Sequence, residues 1–150
     1  MTKIMVIEDD SLVSRTLLSH LKKRGFEVKG AENGEEGLSI FREFQPDLVL
    51  LDVKLPDING LDVLRKIKAE DQEAAVIIMN AFDDMRTTVE AVKAGAFEYL
   101  VKPLDNLEID LTIDKALQMK ALEEKVSYLL EEKQKEYQID NIIGRSAQMR

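Results

Sequence analysis

No cysteine occurs in the 150 residues. That excludes a disulfide framework, a thiolate metal site and a cysteine nucleophile, and it fits a reducing cytoplasm. Long apolar runs are missing too. Nothing approaches the ~20 residues of a membrane span, and Met1 leads straight into a strand pattern without a charged leader, so a soluble, unexported, cytoplasmic protein is expected. Positive charge is in deficit. A net charge of -8 argues against this chain gripping nucleic acid or an anionic membrane directly. The single histidine, His20, lies mid-helix between Leu18 and Leu21 with no carboxylate motif around it, and reads as a helix-face residue. No glycine-rich phosphate loop follows the first strand, which sets nucleotide binding aside.

What the chain has is a repeated alternation of short apolar runs and helical patterns, at a length suited to one domain with a short appendage. Leu48-Val49-Leu50-Leu51 is a two-sided apolar run, as in a strand covered on both faces of a parallel sheet, and Asp52 closes it. Further strands are predicted at 3–7, 26–31, 74–79 and 97–101. Between them, Leu12, Val13, Leu17, Leu18 and Leu21 mark a helix with Ser11 as its cap and Gly25 as its stop. The turn Asn33-Gly34-Glu35-Glu36 feeds a second helix, carrying Leu38, Phe41 and Phe44 and stopped by Pro46. A third follows over Leu61–Ile67 and a fourth over Met85–Ala94, closed by Gly95. Five strands alternating with short helices imply right-handed crossovers, hence an α/β fold with a five-stranded parallel, doubly wound sheet.

In such sheets ligands bind outside the carboxyl ends of the strands. Glu8-Asp9-Asp10 follows the first strand, and a parallel neighbour would bring it beside Asp52. Carboxylates held that close repel and raise one another's pKa values, a costly arrangement without a cation. A hard, oxygen-preferring ion such as Mg2+ suits the group. Asn80 and Lys102 stand at two further strand ends, and the turn-rich loop from Lys54 to Gly60 lies on the same side.

Three segments together resemble the receiver domain of two-component response regulators: Glu8-Asp9-Asp10; Leu50-Leu51-Asp52 with Leu55-Pro56-Asp57-Ile58-Asn59-Gly60; and Gly95-Ala96-Phe97-Glu98-Tyr99-Leu100-Val101-Lys102-Pro103. The likeness covers about residues 1–120. It implies a flavodoxin-like sheet of order 2-1-3-4-5. It implies that Asp52 is the phosphoacceptor for a sensor histidine kinase, forming an acyl phosphate with Mg2+ bound. Asp9 and Asp52 would ligate the metal directly, Glu8 through water and Lys54 by its backbone carbonyl, with Asp10 a secondary candidate. Lys102 would pair with Asp52 and then with a phosphoryl oxygen. Asn80 and Ala81 would bind the phosphoryl group, and Tyr99 would be the aromatic switch that turns inward. Asn80 departs from the threonine or serine usual in the family. Its bulkier amide implies a loop that closes less fully, and Asn80→Thr should strengthen the response.

The last helical pattern, uninterrupted from Leu107 to Gln138, is longer than a small domain needs and is expected to project. Met119, Leu122, Val126 and Leu129 give a seam of barely two heptads, weakened by Lys133 and Glu136. A parallel homodimer through the fourth helix, strand five and this extended helix is expected, with a solvated single helix as the alternative. Residues Asn141-Ile142-Ile143-Gly144-Arg145-Ser146-Ala147-Gln148-Met149 resemble the opening of the AAA+ ATPase domain of sigma-54-dependent (NtrC-like) transcription activators. No G-x-x-x-x-G-K-[ST] loop is present, so ATP hydrolysis by that route is not expected. The expected organisation is a receiver at 1–120, a linker helix at 121–140 and a stub of the ATPase domain at 141–150. The partners would be the rest of that ATPase and sigma-54 RNA polymerase. Two rivals stand beside this non-enzymatic, self-phosphorylating switch. One is a Mg2+-dependent aspartyl-phosphate phosphatase, which would need a general acid where Lys54 stands. The other is a pseudo-receiver interaction module, encouraged only by Asn80.

Overall fold

The computed structural model describes residues 1–148, with side chains described through residue 133. Its elements run β1 (Lys3–Ile7), α1 (Ser11–Lys23), β2 (Glu27–Ala31), α2 (Gly34–Phe44), β3 (Leu48–Asp52), α3 (Gly60–Glu70), β4 (Ala75–Ala81), α4 (Met85–Lys93), β5 (Glu98–Lys102) and α5 (Asn106–Gln148). The strands are parallel and ordered β2-β1-β3-β4-β5, the doubly wound, flavodoxin-like arrangement.

The two-sided apolar runs divide between two cores because successive strand side chains point to opposite faces. Ile4, Val6, Leu48, Leu50, Ile77 and Met79 pack with Leu17 and Leu21 of α1 and Ile109 and Ile113 of α5. Met5, Ile7, Val49, Leu51, Val76 and Ile78 face the other way, against Leu38 and Phe41 of α2, Leu64 and Ile67 of α3 and Ala91 of α4. Leu48, Leu50 and Leu51 are fully buried, each worth roughly 1.5–3 kcal/mol relative to exposure. Helices on both faces are therefore required by the sequence of the strands themselves.

Several boundaries differ from the sequence expectation. Asp10, not Ser11, caps α1: its carboxylate accepts from the Leu12 and Val13 amides at 3.0 and 3.2 Å. Serine and aspartate are equally good caps, so composition could not separate adjacent candidates. Strand β4 runs two residues past the predicted Met79, placing Asn80 and Ala81 within it. Gly34 is the first residue of α2, with Asn33 as its cap. Helix α5 continues to Gln148, through Gly144, rather than ending near Gln138. The side chains of the tail motif lie outside the described residues.

His20 has a partner that local sequence did not reveal. Its Nε2 lies 2.8 Å from Asp110 Oδ1, and Arg24 donates to Asp110 and Asp114, tying α1 to the start of α5. One compact unit comprises Met1–Leu117; α5 from Gln118 onward forms the second. In that second unit Met119, Leu122, Val126 and Leu129 are all exposed.

Candidate functional site

Parallel register builds the site. Ile7 pairs with Leu51, so the next residues, Glu8 and Asp52, emerge side by side at the same rim. Asp52 pairs with Met79 on the other side, and Ala81 pairs with Lys102, which brings the end of β5 to that rim. Glu8 is fully buried and Asp52 nearly so. Lys102 Nζ donates to Glu8 Oε1 at 2.6 Å and to Asp52 Oδ2 at 3.1 Å. The remaining oxygens are held by backbone: the Lys54 amide donates to Asp52 Oδ1 at 3.1 Å and the Asp10 amide to Glu8 Oε2 at 3.2 Å. Asp9 is exposed, yet one of its oxygens, one of Glu8 and one of Asp52 all lie within 4.8 Å of one another.

Two carboxylates thus share one ammonium, with a third, that of Asp9, close to them. Burial, reinforced by the neighbouring Asp52 carboxylate, pushes Glu8 up to about 7 despite the Lys102 hydrogen bond. Burial alone would lower Lys102; its bonds to Glu8 and Asp52 outweigh that and raise it above the ordinary lysine value. The surplus negative charge and the convergence of oxygen donors from two strands fit a hard divalent cation.

A pH dependence follows. Unfolded, Glu8 titrates near 4.5, and folded near 7, so the folded state binds the extra proton between those values. Metal-free stability should fall as pH rises through that window, by on the order of 3 kcal/mol. Added Mg2+ should restore it at about pH 8 and have little effect at about pH 5, because protons and cation compete for the same oxygens. Urea unfolding with and without Mg2+ at both pH values checks this; equal Mg2+ stabilisation at both would contradict it.

Residues 4–114 match the family model of the response regulator receiver domain. This chain belongs to that family. Receivers are phosphoacceptor components of two-component signalling, with an acidic pocket for Mg2+. The chain is 31% identical over 147 residues to the regulatory protein AtoC of Escherichia coli, covering 98% of this chain and 32% of AtoC. It is 40% identical over 114 residues to the transcriptional regulatory protein ZraR of Salmonella typhimurium, covering 76% of this chain and 26% of ZraR. It therefore spans about a third of one relative and a quarter of the other. A receiver domain crystal structure from Clostridium thermocellum superposes with a TM-score of 0.78 at 38% identity, covering 81% of this chain and 98% of that one. Among the described residues no helix is long and apolar enough to cross a membrane.

In this receiver the remaining sequence candidates fall in different places. Asp10 turns toward α1 as its cap and lies outside the three-carboxylate group. Lys54 lies in the β3–α3 loop, two residues beyond Asp52. Tyr99 is partly exposed on the edge strand β5. Asn80 is buried, with its amide directed at Asp84 and Thr88.

Two positioning features escaped the sequence reading. Asp57, in the loop after Asp52, accepts from the Gly34 and Glu35 amides at 2.8 and 2.9 Å, capping α2 from a distance. Desolvation works against its charge, but these amides hold its carboxyl below the usual range. At the end of the same loop, a Cβ on Gly60 would stand 2.5 Å from Val53 Cα and 2.6 Å from the Asp52 carbonyl oxygen. Only glycine lets α3 start that close to the acceptor strand. The signal for Asp57 lay in the motif Leu55–Gly60, but its partners are over twenty residues upstream.

Proposed function

We propose that Asp52 accepts a phosphoryl group from a sensor histidine kinase, in a reaction that requires Mg2+. The observation that carries this reading is the buried Asp52 carboxylate held by Lys102 beside Glu8 and Asp9. An Asp52 oxygen attacks phosphorus, the P–N bond of the donor phosphohistidine breaks, and the imidazole leaves with the bonding pair. Lys102 lies where it can neutralise the acceptor before transfer and an equatorial phosphoryl oxygen afterwards. Asp9, Asp52, Glu8 and the Lys54 carbonyl would hold the cation; when bound, it supplies the charge that offsets carboxylates and phosphoryl oxygens. The phosphatase alternative is disfavoured because Lys54, two residues after Asp52, supplies no general acid.

The output we infer is dimerisation. Met85, Val89 and Val92 on α4 and Tyr99 on β5 are exposed on neighbouring elements of the first unit, a patch suited to a second copy. In the second unit the stripe Met119, Leu122, Val126, Leu129 has coiled-coil spacing. The match to AtoC over nearly all of this chain, and the sequence of residues 141–149, support a longer protein with a sigma-54-activator ATPase downstream. The expected division is receiver to about 120, linker to 140 and the start of the ATPase beyond.

Incubation with acetyl phosphate and Mg2+, followed by intact mass and solution sizing, tests the reading. One phosphoryl group per chain, absent with chelator and accompanied by a change in size, is expected. Absence of metal-dependent labelling would favour the pseudo-receiver, and multiple turnover of a generic phosphoester the phosphatase.

A further inference from the structure

Asn80 is 2% exposed, and protein groups engage every polar atom of its side chain. Nδ2 donates to the Asp84 carbonyl at 2.8 Å and to Thr88 Oγ1 at 3.0 Å; Oδ1 accepts from the Ala81 amide at 2.9 Å. An amide nitrogen has two hydrogens, so its donating capacity is fully used. Thr88 is 1% exposed, and its hydroxyl both accepts from Asn80 and donates to the Asp84 carbonyl at 3.4 Å. Asp84 in turn caps α4, accepting from the Thr87 hydroxyl at 2.8 Å. The end of β4 and the first turn of α4 are thus buckled together through one buried side chain, which also occupies the Ala81 amide.

We propose that Thr88 is a positioning residue that latches Asn80 and Ala81 away from the acceptor pocket, so that a phosphoryl group on Asp52 must displace the Asn80–Thr88 bond before the β4–α4 loop moves. This rests on the reading of Asp52 as phosphoacceptor and adds a threshold to it. The exchange is favourable because neutral hydrogen bonds give way to charge-assisted ones, roughly twice as strong. It is less favourable than in a pocket whose donors have no competitor. The competing groups are a hydroxyl and a carbonyl, neither of which titrates, so the threshold is set by geometry.

The test is a titration of the whole chain with beryllofluoride and Mg2+, a phosphoryl mimic, in wild type, Thr88→Val, Thr88→Ser, Asn80→Ala and Asn80→Ala/Thr88→Val. Losing one neutral competing bond should tighten binding about fivefold in Thr88→Val. Thr88→Ser keeps the hydroxyl and should match wild type. Against the Asn80→Ala single variant, adding Thr88→Val should change affinity little. Without ligand, amide exchange over residues 82–84 should be faster in Thr88→Val than in wild type. Unchanged or weaker beryllofluoride binding in Thr88→Val, with wild type and Thr88→Ser binding normally, overturns the latch. An equal gain in the Asn80→Ala background overturns it too, because the effect would not pass through Asn80. A wild-type chain that takes up no beryllofluoride overturns the Asp52 reading, and the latch with it.

Discussion

Asp52→Asn is expected to reduce labelling by acetyl phosphate by at least roughly 1,000-fold, since an amide of nearly the same shape lacks the nucleophilic oxygen pair. The same change should make the metal-free protein more stable at neutral pH. Asp52 is nearly buried beside Glu8, so removing its charge relieves a like-charge contact at the cost of half of the Lys102 pairing. The two effects carry opposite signs, which separates loss of chemistry from loss of fold. Intact mass reports the first and urea unfolding at about pH 8 the second; about 1 kcal/mol of stabilisation is expected. Residual labelling of the variant at the wild-type rate would move the phosphorus to another residue and sink the assignment.

Lys102→Met should have the opposite balance. It leaves Glu8 and Asp52 buried with no cation, and breaking such a pair from one side is more damaging than never having had it. Since Lys102 is partly solvated, a metal-free loss of about 2 kcal/mol at about pH 8 is expected rather than the larger figure for a fully buried pair. The sign with pH is fixed. Lys102 lowers the Glu8 pKa, which already sits at about 7, so without it the proton is held to still higher pH. Stability of the variant should therefore keep falling above the range where wild type has levelled off, and recover on acidification toward about pH 6. Labelling should slow by roughly 10- to 100-fold, as expected for loss of one preorganised charge at the reacting group. A variant with wild-type pH dependence would show that Lys102 does not govern Glu8.

The sheet and its acidic rim were legible in the sequence for a physical reason. Runs such as Leu48–Leu51 are apolar on both faces, which only a strand sandwiched between helix layers tolerates, and parallel pairing then puts strand ends on one rim. That carried Glu8, Asp9, Asp52 and Lys102 to the same place. What was not legible depends on where a side chain finds its partner. The Asn80 amide meets Thr88 eight residues on, but only because α4 begins where Asp84 caps it. His20 meets Asp110 ninety residues away, and no window of sequence holds both. The length of α5 was underestimated because a helix end without a stop signal is set by context rather than by composition.

The two loops flanking Asp52 are fastened differently. Behind it, Asp57 grips the amides that open α2 and Gly60 is wedged against the Asp52 backbone; opposite, the start of α4 hangs on exchangeable side-chain bonds. With the proposed latch, the cleft would act as a vise with one fixed jaw and one hinged jaw. Pressure exerted inside such a vise would leave α2 and α3 as the frame and be released toward α4 and β5.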